Sequence, residues 1–133
     1  MCTFVLFQVN NNGIISFNDK ITVYKPLNFS DNGFQNAIPL IAPFWADVDI
    51  KNVVGYNESI VFRLTSDNAI VEKASKDVSN NFLDQRSFTA KQVLIVTWYN
   101  VGFYGAADEG KTKVTHFFCG LRNSSAFTFG NRC

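Results

Sequence analysis

Thirteen residues, Ile38-Pro39-Leu40-Ile41-Ala42-Pro43-Phe44-Trp45-Ala46-Asp47-Val48-Asp49-Ile50, restrict the folds open to this chain more than any other stretch: nine are apolar, two are prolines and two are carboxylates two positions apart. Pro39 and Pro43 each remove a backbone donor and push the preceding residue toward an extended conformation, which argues against both a helix and a regular ladder through the middle. Phe44 and Trp45 are bulky enough that a stable fold must bury at least one of them. Asp47 and Asp49 would share one face of any strand that follows. The stretch therefore reads as an irregular, aromatic crossing that keys into a core, with Pro43, Phe44, Trp45, Asp47 and Asp49 as its structural residues.

A chain of 133 residues suits one domain with one core. A hydrophobic share of 47% against 17% charged residues is globular, and 14 phenylalanines indicate a chain that buries rings. The net charge of +1 and the lack of any dense Lys/Arg cluster argue against nucleic acid as a partner. No apolar run is long enough to span a bilayer, so direct membrane insertion is not expected. The opening Met1-Cys2-Thr3-Phe4-Val5-Leu6-Phe7 has no positive start and no small-residue cleavage site; it reads as a strand and not as a signal peptide. Cys2, Cys119 and Cys133 are spaced too widely for a zinc site, and His116 is the single histidine. Three cysteines imply one disulfide and a free thiol, or partners outside the chain, with the pairing open.

In order along the chain, Val5, Phe7 and Val9 alternate with Leu6 and Gln8, and Asn10-Asn11-Asn12-Gly13 separates them from Ile14-Ile15-Ser16-Phe17. An Asn-Gly pair between two β-rich runs predicts a hairpin. Residues 18–36 read as a long surface loop with one short strand at Ile21-Thr22-Val23-Tyr24. After the aromatic crossing comes a turn around Gly55, then Ile60-Val61-Phe62-Arg63-Leu64, a strand expected to be half-buried through Ile60, Phe62 and Leu64. Ile70, Ala74, Val78 and Phe82 recur at intervals of four behind the candidate caps Ser66, Asp67 and Asn68, which predicts one short helix over about Asp67 to Phe82, interrupted at Asn80-Asn81. Lys91 to Val101 is the longest β-branched and aromatic run, apolar on both faces through Val96 as a central strand should be, and Trp98 in it is a second bulky core candidate. A glycine-bearing loop follows from Gly102 to Lys113, then a short strand from Val114 to Phe118. The pattern predicts a mainly β domain, antiparallel and sandwich-like, with one short helix.

Three of these segments carry a family resemblance. I-A-P-F-W-A-D-V-D (41–49) closely resembles the signature of the NIDO, or nidogen-like, domain; V-N-N-N-G-I-I-S-F (9–17) is similar to a second segment of that family, and V-L-I-V-T-W-Y-N-V-G (93–102) to a third. The family occurs in nidogen (entactin), alpha-tectorin and membrane mucins. The resemblance covers roughly Phe4 to Phe118, leaving residues 119–133 as a divergent tail or final hairpin. It implies a non-catalytic, extracellular module contributing to cell-matrix adhesion, with matrix or cell-surface proteins as partners and no cofactor. It also implies that a chain without a leader is a fragment, or starts at an unnatural point.

Chemistry-bearing patterns have competing structural readings. Gly105-Ala106-Ala107-Asp108-Glu109-Gly110-Lys111-Thr112 satisfies the phosphate-cradling G-x-x-x-x-G-K-[ST] pattern. It is followed by β-branched and aromatic residues where a helix is required, and Asp108 and Glu109 place two negative charges where phosphate must sit. Asp47 and Asp49 are the candidate calcium ligands, but they supply two side chains where six or more oxygens are needed; the competing reading is that they accept hydrogen bonds around the irregular crossing. Asn28, Asn57 and Asn123 each open a glycosylation sequon, though 15 asparagines and 17 Ser/Thr in 133 positions give about two by chance. No nucleophile elbow or Cys-His signature accompanies His116, so no enzymatic site is expected.

Overall fold

The computed structural model describes residues 6–26, 39–50, 60–99, 101–105, 115–122 and 126–132, the last two ranges as backbone. Within them the chain is mainly antiparallel strand with a single α-helix, the class the residue pattern predicts. It divides into two compact units: one holds Val5–Ile60 and Trp98–Val114, the other Met1–Phe4, Val61–Thr97 and Thr115–Cys133.

The first unit begins with a hairpin. β1 (Phe7–Asn10) pairs with β2 (Ile14–Phe17) across the turn Asn11-Asn12-Gly13, in the register Phe7 opposite Phe17 and Asn10 opposite Ile14. β2 is buried along its whole length, and its far edge takes β3 (Leu40–Ile41), with Ile15 opposite Ile41. The chain then leaves the ladder at Ala42 and re-enters one only at β4 (Val48–Asp49), which pairs antiparallel with β7 (Gly102–Phe103). The break falls at Pro43, as its missing donor requires. Residues 21–24, expected as a strand, are not one: the Ile21 carbonyl accepts a 2.7 Å bond from Asn10 Nδ2 and has no ladder partner there. Gly102–Phe103, expected within a loop, is strand because β4 offers it a partner.

The second unit carries a sheet in the order β5-β6-β8-β9, formed by β5 (Ile60–Thr65), β6 (Gln92–Trp98), β8 (Thr115–Arg122) and β9 (Ala126–Arg132). β6 lies inside the order, and Val93, Leu94 and Val96 are buried, consistent with a central strand. α1 (Asn68–Asn81) packs against β8 and β9. Its N-cap is Asp67, whose carboxylate accepts the Ile70 N–H at 3.1 Å. The helix continues through Asn80 and Asn81, where an interruption was expected; Asn81 Nδ2 donates to the Asp77 carbonyl. Its buried stripe is Val71, Ala74 and Val78 against Phe88 and Ala90, while Phe82 caps the helix from outside and stays 40% exposed. Four-residue spacing drifts around a helix of 3.6 residues per turn, which is why the series ending at Phe82 leaves the packed face.

One further expectation changes. β5 is a strand, but Phe62 and Leu64 are 58% and 47% exposed, because β5 ends the strand order and has a neighbour on one side only among the described strands. Residues 119–133, expected as a divergent tail or a final hairpin, begin inside β8, which runs on to Arg122 and forms a hairpin with β9, placing Cys119 opposite Phe129.

Candidate functional site

The aromatic crossing is fastened by the hairpin turn. Asn10 carries the turn: its carbonyl accepts the Gly13 N–H at 3.3 Å, and its side-chain oxygen accepts the Asn12 N–H at 2.9 Å. Gly13 takes φ +76°, the left-handed conformation that closes a three-residue hairpin loop. Asn12 then reaches across, its Oδ1 accepting the Val48 N–H at 2.9 Å and its carbonyl accepting the Ala46 N–H at 3.2 Å. These bonds occupy two donors that the proline-broken segment would otherwise leave without strand partners.

Phe44 lies edge-on to Trp98, with ring centroids 5.3 Å apart and planes at 85°. Trp98 is fully buried, and its Nε1 donates to the Asn10 carbonyl at 3.0 Å. A Cβ on Gly13 would lie 1.8 Å from the Phe44 carbonyl oxygen, so turn and crossing touch backbone to backbone. Phe44 and Trp45 are both half-buried, and the Trp45 indole nitrogen lies inside. The structure thus sets Phe44 of the crossing against Trp98. The fasteners Asn10, Asn12 and Gly13 were visible only as a turn signal, because a hairpin motif says nothing of what its side chains hold 36 residues away.

Asp47 and Asp49 sit on the ribbon made by β4 and β7: the Asp47 carbonyl accepts the Tyr104 N–H at 2.8 Å, and Asp49 stands opposite Gly102. Among the described residues, no three His, Cys, Asp or Glu side chains converge on a metal position. Asn28, Asn57 and Asn123 lie outside the described residues, as do Cys2, Cys133 and residues 106–112 of the phosphate-loop pattern. Strand β8 begins at Thr115, where that pattern would need a helix. His116 is placed on β8 opposite Arg132. No helix of the described residues is long and apolar enough to cross a membrane.

The remaining surface feature is exposed apolar side chain. β5 shows Val61, Phe62 and Leu64, and Leu83 beyond α1 is 80% exposed; in the other unit Tyr24, Phe103 and Tyr104 are exposed, with Lys25 Nζ 5.7 Å from the Tyr24 ring centre. Such side chains give a surface for contact.

The family model described as "Nidogen-like domain" matches residues 5–129. Among curated relatives, mouse alpha-tectorin is 39% identical over 121 residues, covering 91% of this chain and 5% of that protein. Mouse nidogen-2 is 33% identical over 114 residues, covering 81% of this chain and 8% of its own length. Mouse mucin-4 is 30% identical over 134 aligned residues, covering 94% of this chain and 4% of its own. The chain therefore spans less than a tenth of the length of these relatives. No solved structure matches.

Proposed function

Because the chain belongs to the nidogen-like domain family, we propose that it serves as a non-catalytic module of an extracellular adhesive or matrix protein, contributing to cell-matrix adhesion by protein-protein contact. The observation that carries the reading is β5: a terminal strand in its sheet order with Phe62 58% and Leu64 47% exposed. Apolar side chains left in water on a strand are tolerated where a partner covers them, since soluble proteins otherwise blunt such strands with charge. The rest of the chain gives support of a different kind. Its hydrogen bonds and ring contacts, from the Asn12–Val48 bond to the Phe44–Trp98 pair, fasten a fold. Matrix or cell-surface proteins are the partners, with Asn28, Asn57 and Asn123 as glycan positions on a secreted chain.

The test is attachment. The domain, secreted from animal cells behind a heterologous leader, is immobilised and offered basement-membrane extract and adherent cells, beside an unrelated β domain of similar size. Attachment above that control is expected, and the double variant Phe62→Ser, Leu64→Ser should reduce it by about tenfold while the near-ultraviolet signal of the buried Trp98 is kept. Attachment no stronger than the control would overturn the adhesive reading. Equal attachment by the double variant would remove β5 from it.

A further inference from the structure

We propose that Asn12 is a deamidation site which the native fold holds shut, so that its conversion records, and makes permanent, any opening of the hairpin from the aromatic crossing. The chemistry belongs to the Asn-Gly pair. The Gly13 backbone nitrogen, after giving its proton to water, attacks Cγ of Asn12; the new C–N bond closes a five-membered imide, and the Cγ–Nδ2 bond breaks to release ammonia. Water then opens the imide at either carbonyl, giving aspartyl or isoaspartyl. Glycine leaves that nitrogen unhindered, since no Cβ stands beside it.

Three contacts oppose ring closure. The Asn12 side chain whose Cγ must swing toward Gly13 is held through Oδ1, which accepts the Val48 N–H at 2.9 Å, and the nitrogen that must attack donates to the Asn10 carbonyl at 3.3 Å. Gly13 cannot shift toward the crossing, because the Phe44 carbonyl and ring stand against it. Reaction therefore requires that Asn12 first let go of residues 46–48, a local opening with its own free-energy cost. The product closes less well than asparagine. An isoaspartyl linkage routes the main chain through Cβ and displaces the carbonyl that accepts the Ala46 N–H at 3.2 Å. An aspartyl product puts a new carboxylate against the backbone between Asp47 and Asp49, adding like charge to the same ribbon.

The experiment incubates the folded domain at body temperature and mildly alkaline pH, beside the same chain held unfolded in urea. Conversion at Asn12 is followed by peptide mass spectrometry, with isoaspartyl-specific methylation to tell the products apart. Conversion in the folded domain should run at least about tenfold slower than in the unfolded chain. Molecules converted at Asn12, separated by ion exchange, should melt below unconverted ones. Equal rates in folded and unfolded chains would overturn the proposal, as would converted molecules that melt with the rest. The variant Phe44→Ala supplies an independent arm: it removes the ring facing Gly13, and in a fraction still folded by circular dichroism it should raise the rate at Asn12. An unchanged rate there would count against the proposed hold.

Discussion

Gly13 is the position least able to accept another residue. Its φ of +76° costs an L-residue about 1–2 kcal/mol, and a methyl group there would meet the Phe44 carbonyl at 1.8 Å, which backbone movement alone can relieve. Gly13→Ala should therefore lower stability by at least about 3 kcal/mol, read as the shift of the urea midpoint at unchanged slope. Gly105 serves as the control: it has φ +82° but nothing within 4 Å of its missing Cβ, so Gly105→Ala should cost only the conformational part, about 1 kcal/mol. Trp98→Phe probes the other side of the same lock. It leaves the Asn10 carbonyl without its 3.0 Å indole partner and opens a void beside Phe44, a loss expected at about 2–4 kcal/mol in the same denaturation measurement. The bulk of Trp98, Phe44 and Trp45 already marks them in the sequence as core. Asn12 does not stand out there, because an acceptor's value depends on which donor the fold brings to it, and Val48 is remote in the chain.

Helix α1 shows which features of an element the sequence carries and which it lacks. Its start is narrowed by sequence to Ser66, Asp67 and Asn68, all cap types, and the structure selects Asp67, which takes the Ile70 N–H. Its end is not, because Asn80 and Asn81 look like a stop, yet the helix runs through both, Asn81 bonding back to the Asp77 carbonyl, and the segment after it folds back as a 3-10 turn at Leu83–Gln85. That return is tied down by Ser75, whose hydroxyl donates to the Val71 carbonyl and accepts the Ala90 N–H at 2.9 Å. Asp67→Ala should cost about 1 kcal/mol, the usual worth of a cap. Breaking the exposed Lys73–Asp77 pair with Lys73→Ala should cost about 0.5 kcal/mol or less, although its 2.8 Å distance looks stronger on paper. Thermal melts of the two variants against the parent decide the order, and a larger loss at Lys73 would contradict it. β5 makes the complementary point. Alternation identifies it as a strand, but which strand ends a sheet is set by long-range pairing, so its exposure follows from topology and not from the local pattern.

Across the molecule as a whole, 12 basic and 11 acidic residues nearly cancel, and the exposed aromatic and aliphatic side chains fall in both compact units. A surface of that kind attracts through apolar area and not through a long-range field, so attachment to matrix should change little between low and physiological salt. The same reasoning separates adhesion from calcium binding. Asp47 and Asp49 lie on a ribbon whose facing position is Gly102, which has no side chain to offer, and an Asn12 oxygen close by is already committed to the Val48 N–H. Two carboxylates fall well short of the six or more oxygens that calcium takes. EDTA should therefore leave both the melting temperature and the attachment unchanged, and added calcium should not restore anything that EDTA removes. A bound ion of micromolar affinity would behave otherwise: at calcium a hundredfold above its dissociation constant it would stabilise the fold by about 2.7 kcal/mol, a shift of several degrees in a scan. A fall of that size on chelation would give Asp47 and Asp49 a ligand role and would make the ribbon, in place of β5, the surface through which this domain meets its partner.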